Sequence, residues 1–291
     1  MGRDMCGQEG HDVSGQIVYF SKRLLIRRNQ GFFDEISAKL NACGIGVRLL
    51  LYTQDIWCRD YMPVRVGKEK FVQFKYDSEY LKTKRWRKTR TNPEKVCKTI
   101  GIKPVISDII LDGGNVVRCG DKVIMTWQVF NDNPAYSQEE LESKLKVLLR
   151  VNDLIIIPPE PDDPFCHADG SVRFIRKDLV AINKTHKRHL GYDALLREIL
   201  KAYRLSWIEL PYSIDDDKRN KDSAVGNYVN YLAVGDAVFV PAYKGRKAYN
   251  QEAVKTLSRW FKQVIPIEST AIAKEGGILN CVSWGEWTDA V

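Results

Sequence analysis

Four segments read as strand, tight turn, strand, and they recur at a nearly constant interval. They are residues 64–74 around Gly67-Lys68, 116–126 around Gly120-Asp121, 172–182 around Lys177-Asp178 and 231–241 around Gly235-Asp236. Each joins apolar runs through a two-residue turn of the kind that closes an antiparallel hairpin. Their starts are spaced by 52, 56 and 59 residues, so the chain is built on an internal repeat.

Helical apolar spacing fills the intervals: 32–42 with Phe33, Ile36 and Leu40; 93–100 with Val96 and Ile100; 138–151 with Leu141, Leu145 and Leu148; 192–203 with Leu195, Leu196, Ile199 and Leu200; and 250–262 with Val254, Leu257 and Phe261. Each helix leads into a further apolar strand, at 46–52, 104–111, 154–158, 206–210 and 264–267. The unit is strand, strand, helix, strand. Five helices against four internal hairpins require a fifth hairpin from the chain ends, pairing 277–284 with 16–21. The expected fold is therefore a closed, pseudo-symmetric α/β ring of five such units, a propeller-like arrangement.

Composition fits one large globular domain, expected over 16–291, with 1–15 disordered. Of 291 residues, 44% are hydrophobic, yet no apolar run reaches the roughly twenty residues of a membrane span. The first fifteen residues have no apolar stretch of a secretory signal. Seven cysteines make an odd count without CxxC spacing, which argues against a disulfide framework or a zinc ribbon and favours the cytoplasm. Net charge is +8, and the run 82–90 (KTKRWRKTR) alone contributes six positive charges. Such a run could bind nucleic acid with Trp86 as a stacking surface, but no second basic stripe supports it. A solvated loop is the expectation.

The residues just before each hairpin carry the chemistry. Trp57-Cys58-Arg59-Asp60, Asp112-Gly113-Gly114-Asn115, His167-Ala168-Asp169-Gly170 and Asn227-Tyr228-Val229-Asn230 occupy equivalent places, with Gly276-Gly277-Ile278-Leu279-Asn280-Cys281 as the fifth. In a closed ring these corners converge on one end of the axis. A thiol, a histidine and carboxylates would then share a pocket, the parts for nucleophilic catalysis on a cation. His186 and His189 lack further ligand-type residues in pattern, so no metal is expected.

The motifs DIWCRDYMP, LDGGNVV, HADGSVRF, YVNYLAVGDAVFVPAY and EGGILNCVSW, in that order, resemble the agmatine deiminase and bacterial peptidylarginine deiminase family of guanidine-modifying enzymes. The resemblance spans residues 16–286 and implies a five-bladed α/β propeller with no cofactor. It implies that Cys281 is the nucleophile, His167 the general acid/base, and Asp60 and Asp169 the carboxylates that grip the guanidinium. Trp57, Asp112, Asn115 and Asn230 are the implied substrate-binding residues, although Asn115 and Asn230 equally suit turns or strand ends. Cys281 is expected to be accessible and partly thiolate. Cys58 and Cys166 read as structural.

This sequence departs from the family pattern in places. Asn280 stands where agmatine deiminases usually have histidine, Ser283-Trp284-Gly285 replaces a Thr-Gln-Gln tail, and Asp112 replaces a glutamate. The implied reaction is hydrolysis of agmatine to N-carbamoylputrescine and ammonia through a cysteine thiouronium. Peptidyl or free arginine deimination and amidino transfer stay open within the same chemistry, as does a silent propeller that binds a cation or nucleic acid. The expected partner is a small guanidinium compound or arginyl peptide, rather than nucleic acid or membrane. A homodimer is compatible with the sequence.

Overall fold

The computed structural model describes residues 16–213 and 222–285, so the expectation of disorder over 1–15 lies outside the described residues. Among the described residues, fifteen strands form five three-stranded sheets of one topology. In chain order they are β1 (Ile17–Ser21), β2 (Gly46–Leu50), β3 (Val64–Gly67), β4 (Lys70–Lys75), β5 (Val105–Ile110), β6 (Val117–Cys119), β7 (Lys122–Thr126), β8 (Asp153–Ile157), β9 (Val172–Arg176), β10 (Leu179–Asn183), β11 (Ser206–Leu210), β12 (Leu232–Val234), β13 (Ala237–Ala242), β14 (Gln263–Glu268) and β15 (Ser283–Gly285). The sheets are β3-β4-β5, β6-β7-β8, β9-β10-β11, β12-β13-β14 and β15-β1-β2.

In each sheet an antiparallel hairpin pairs with a third strand that runs parallel to the middle one, reached through a helix. A parallel neighbour needs such a crossover because a tight turn cannot reverse the chain twice. The crossover helices are Arg27–Ala42, Pro93–Thr99, Gln138–Leu149, Leu190–Ala202 and Lys247–Leu257. Local chemistry sets their ends. Ser137 caps Gln138–Leu149 by accepting from the Glu140 amide, and Asn92 with Pro93 starts Pro93–Thr99 in the same way. Leu141, Leu145 and Leu149, four residues apart, bury one face of Gln138–Leu149. Gly120 and Gly235 both adopt φ of 56°, the conformation their two-residue turns demand.

The fifth sheet joins the chain ends as the repeat requires: Val18 pairs with Gly285 and Phe20 with Ser283. Its C-terminal strand is only Ser283–Gly285, however; residues 277–278 are irregular and 279–282 form a turn. That stretch is tied up locally, with the Val282 amide bonded to the Ile278 carbonyl, so it cannot extend along β1.

The basic run is not a simple loop. It lies across two 3-10 turns, Glu79–Lys82 and Arg87–Thr89, and Leu81 is buried. Three of its charges are paired: Lys82 with Glu79, Arg85 with Asp222, and Arg90 with Asp77. No described helix is long and apolar enough to cross a membrane. Cys43, Cys58, Cys97, Cys166 and Cys281 are free thiols, while Cys119 is disulfide-bonded.

Candidate active site

Three of the five hairpins are preceded by a single helical turn, and these turns present the polar residues. Cys58–Tyr61 carries Asp60 ahead of β3, Gly113–Asn115 follows Asp112 ahead of β6, and Ala168–Gly170 follows His167 ahead of β9. Asn230 arrives in a bend before β12 and Cys281 in the turn before β15. Close backbone contact fastens these corners together. The Arg59 amide donates to the Cys281 carbonyl (3.1 Å), and the Gly114 amide donates to Asp60 Oδ1 (3.1 Å). Gly114 has to be glycine, because a Cβ there would stand 2.5 Å from Asp60 Oδ1 and 2.7 Å from His167 Nδ1.

A cavity of about 370 Å³ opens at this meeting point. Cys281, His167, Asp60 and Trp57 line it, as the sequence anticipates, and so do Asp55, Thr89 and four further aromatic residues: Tyr76, Tyr80, Trp86 and Phe165. His167 lies between two carboxylates, Nδ1 3.6 Å from Asp60 Oδ1 and Nε2 3.2 Å from Asp112 Oδ2. Burial alone would pull the imidazolium pKa down. The Asp60 charge and the Asp112 hydrogen bond outweigh it and lift His167 to about 10. Asp163 fixes the backbone here, accepting from the Phe165 and His167 amides.

Cys281 Sγ lies 3.4 Å from Asn230 Oδ1 and 3.8 Å from Asp169 Oδ2. Burial, then the charges of Asp169 and Asp60, push its thiol pKa well up. The expectation of a partly thiolate cysteine therefore does not hold in these surroundings, because burial and then the neighbouring carboxylates oppose a negative charge on sulfur. Burial also raises Asp60, against the His167 cation, and takes Asp55 to about 7. A buried excess of carboxylates over cations is costly until a cation enters.

Four expected site residues stand behind the cavity wall. Asp112 is 2% exposed and accepts from Ser78 Oγ (2.7 Å) and Tyr80 OH (2.8 Å) while facing His167. It orients the imidazole from the side away from the cavity. Asn115 accepts from the Thr126 and Ala168 amides through one oxygen, joining β7 to the His167 turn. Asn230 donates to the Asp169 carbonyl and accepts from the amides of Asn280 and Cys281. Asp169 is outside the lining but reaches Cys281, and its Oδ2 accepts from Asn280 Nδ2 at 2.6 Å.

The sequence reading missed the aromatic roof. Tyr80 packs edge-on against Phe165 (5.2 Å) and Trp86 against the same ring (5.8 Å), while Arg85 stacks on Trp86. One aromatic residue within a basic run was its only signal. Asp55 sits in the same motif as Trp57 and Asp60, and its carboxylate accepts from the Trp57 amide. Cys58 is fully buried and donates to the Val282 carbonyl at 2.9 Å, so it braces the turn of Cys281. Among the described residues no group of histidine, cysteine, aspartate and glutamate side chains is arranged to hold a metal ion.

A family model described as Porphyromonas-type peptidyl-arginine deiminase matches residues 8–286. The chain is an enzyme of that family. A Photobacterium profundum protein that carries agmatine deiminase as a provisional name is 24% identical over 279 residues, 81% of this chain and 76% of its own. Among solved structures, C. jejuni agmatine deiminase is 17% identical with a TM-score of 0.73, covering 94% of this chain and 93% of its own. The agmatine deiminase of Enterococcus faecalis is 18% identical with a TM-score of 0.72, covering 99% of both chains. At these identities the structural matches establish a shared fold.

Proposed function

We propose that this chain hydrolyses the guanidinium group of a small cation, with agmatine the leading substrate, releasing N-carbamoylputrescine and ammonia. The cavity wall carries this reading. It combines a thiol, an imidazole, two carboxylates and five aromatic rings, with no lysine or arginine side chain among the described residues. Such a wall suits a cation on an apolar stem and offers a substrate carboxylate no lysine or arginine partner. Agmatine has a guanidinium, a methylene chain and an ammonium, and it lacks the carboxylate of free arginine. The names of the relatives point the same way.

The chemistry follows from the charges. The incoming guanidinium neutralises the carboxylates that hold Cys281 protonated, so the thiol proton passes to Asp169 as Sγ bonds to the guanidinium carbon. His167, cationic at neutral pH, gives its proton to one amino group, and the C–N bond breaks to release ammonia. The remaining thiouronium is attacked by water as His167 takes a water proton. The C–S bond then breaks, the ureido product leaves, the hydroxyl proton returns to sulfur, and the proton on Asp169 leaves with ammonia as ammonium. Asp60 holds the cation throughout, and Asp169 holds it until it takes the thiol proton.

The five units are read as blades of one closed α/β propeller, a single catalytic domain over 16–291 with the cavity at its axis. The site residues precede the first strands of all five sheets, which supports that reading. A ureido assay on purified protein across agmatine, free arginine, methylated arginine and arginyl peptides tests the function. Agmatine should give the highest kcat/KM. Turnover of free arginine above agmatine, or of none of the four, overturns it.

A further inference from the structure

We propose that Asn280, the residue before the nucleophile, is a positioning residue that holds the Asp169 carboxylate charged and aimed at the substrate, an inference that rests on the guanidinium-hydrolase reading above. Asn280 Nδ2 donates to Asp169 Oδ2 at 2.6 Å, and that oxygen lies 3.8 Å from Cys281 Sγ. The two side chains are 1% and 2% exposed. The backbone of Asn280 is fixed on both sides, its amide donating to Asn230 Oδ1 (3.1 Å) and its carbonyl accepting from Arg59 Nε (3.4 Å).

The other end of the amide is the informative one. Asn280 Oδ1 is buried with no hydrogen-bond partner among the described residues. An orphaned buried acceptor costs stability, so an apolar side chain would serve packing better. The donor explains the residue. Asp169 faces Cys281, and Asp60 and Asp163 also feel its charge; all three oppose a further negative group. A short bond from a neutral N–H favours the charged carboxylate without adding a cation that would repel the substrate.

The test uses full-length protein carrying Asn280→Leu, Asn280→Ala or Asn280→His, the last of which keeps an N–H donor. Two readouts apply: the pH profile of kcat/KM in the ureido assay, and the ratio of alkylation rates at Cys281 by cationic 2-chloroacetamidine and neutral 2-chloroacetamide. The leucine and alanine variants should lose about 10- to 100-fold in kcat/KM at neutral pH, with the acid limb moved upward, and should lose a similar factor in amidine preference. The histidine variant should stay within about fivefold of the parent by the same donor argument. Folded leucine or alanine variants with the parent's acid limb and amidine preference overturn the proposal. So does failure of both to fold while the histidine variant folds normally without restoring amidine preference, since Asn280 would then serve only packing. A parent with no turnover refutes the hydrolase reading instead, and the alkylation ratio still decides Asn280.

Discussion

A single methyl group at Gly277 reaches the centre of the site. A Cβ built there would stand 2.6 Å and 2.9 Å from carbons of the Trp57 ring and 3.0 Å from the Cys281 Cβ. Carbon atoms in contact prefer about 3.5–4.0 Å, so Trp57 or Cys281 must retreat by about 1 Å. Trp57 has little room to do so, because its amide is bonded to Asp55 and the adjoining Cys58 is bonded to Val282. A displacement of that size at a reacting atom costs about 100-fold in rate. Overpacking of this kind costs about 1–3 kcal/mol in stability. Gly277 is absent from the positive-φ residues, so the methyl group rather than backbone strain is responsible. Gly277→Ala should therefore keep its fold, by circular dichroism and thermal melting, and lose about 100-fold in kcat for ureido formation. Activity within twofold of the parent would refute the close packing of Gly277 against Trp57 and Cys281.

Other perturbations separate the parts of the site. Asp112→Asn removes a partner of His167, so the alkaline limb of kcat/KM, which reports the free enzyme and follows His167 near 10, should fall by about one to two pH units; an unmoved limb contradicts the role given to Asp112. Because folding raises the His167 pKa, its contribution to stability is complete below the unfolded value of about 6.5 and is lost as pH rises through about 10. Denaturant titrations of His167→Gln should lack that alkaline loss, whereas retention of the full loss assigns it to other groups. Trp86→Ala opens the aromatic roof and should raise KM for agmatine about tenfold with kcat little changed, so an unaltered KM would remove Trp86 from substrate binding.

The periodic parts of the fold were legible because a hairpin fixes its own register. The four internal turns, the five crossover helices and the meeting of the chain ends all follow from spacing and turn chemistry. The corners were legible as positions, because each precedes the first strand of a sheet. Side-chain direction at a corner was not, since it depends on one turn's dihedrals and on the neighbouring sheet. Hence Asp112, Asn115 and Asn230 were expected at the substrate but face backbone amides and His167 instead. The strand expected over 277–282 failed because Gly276, with φ of 114°, and the bonds of Ile278 and Asn280 curl the chain into turns. Charge dominated the reading of residues 82–90 and hid the packing of Trp86. The thiolate expected at Cys281 took account of a cationic substrate or nearby imidazolium but not of the burial of the thiol or of the carboxylates beside it.

The central claim is that Cys281 is the nucleophile of a cation-binding cavity, and affinity labelling tests it most directly. 2-Chloroacetamidine imitates the guanidinium and carries a leaving group, so it should alkylate one cysteine per chain, with loss of activity tracking the label and agmatine protecting against both. Cys281 lines the cavity that receives the amidine, whereas neither Cys58 nor Cys166 does. Peptide mapping by mass spectrometry should therefore find the label on Cys281. A label on Cys58 or Cys166 that tracks the loss of activity, or full turnover by protein stoichiometrically alkylated at Cys281, would contradict the account.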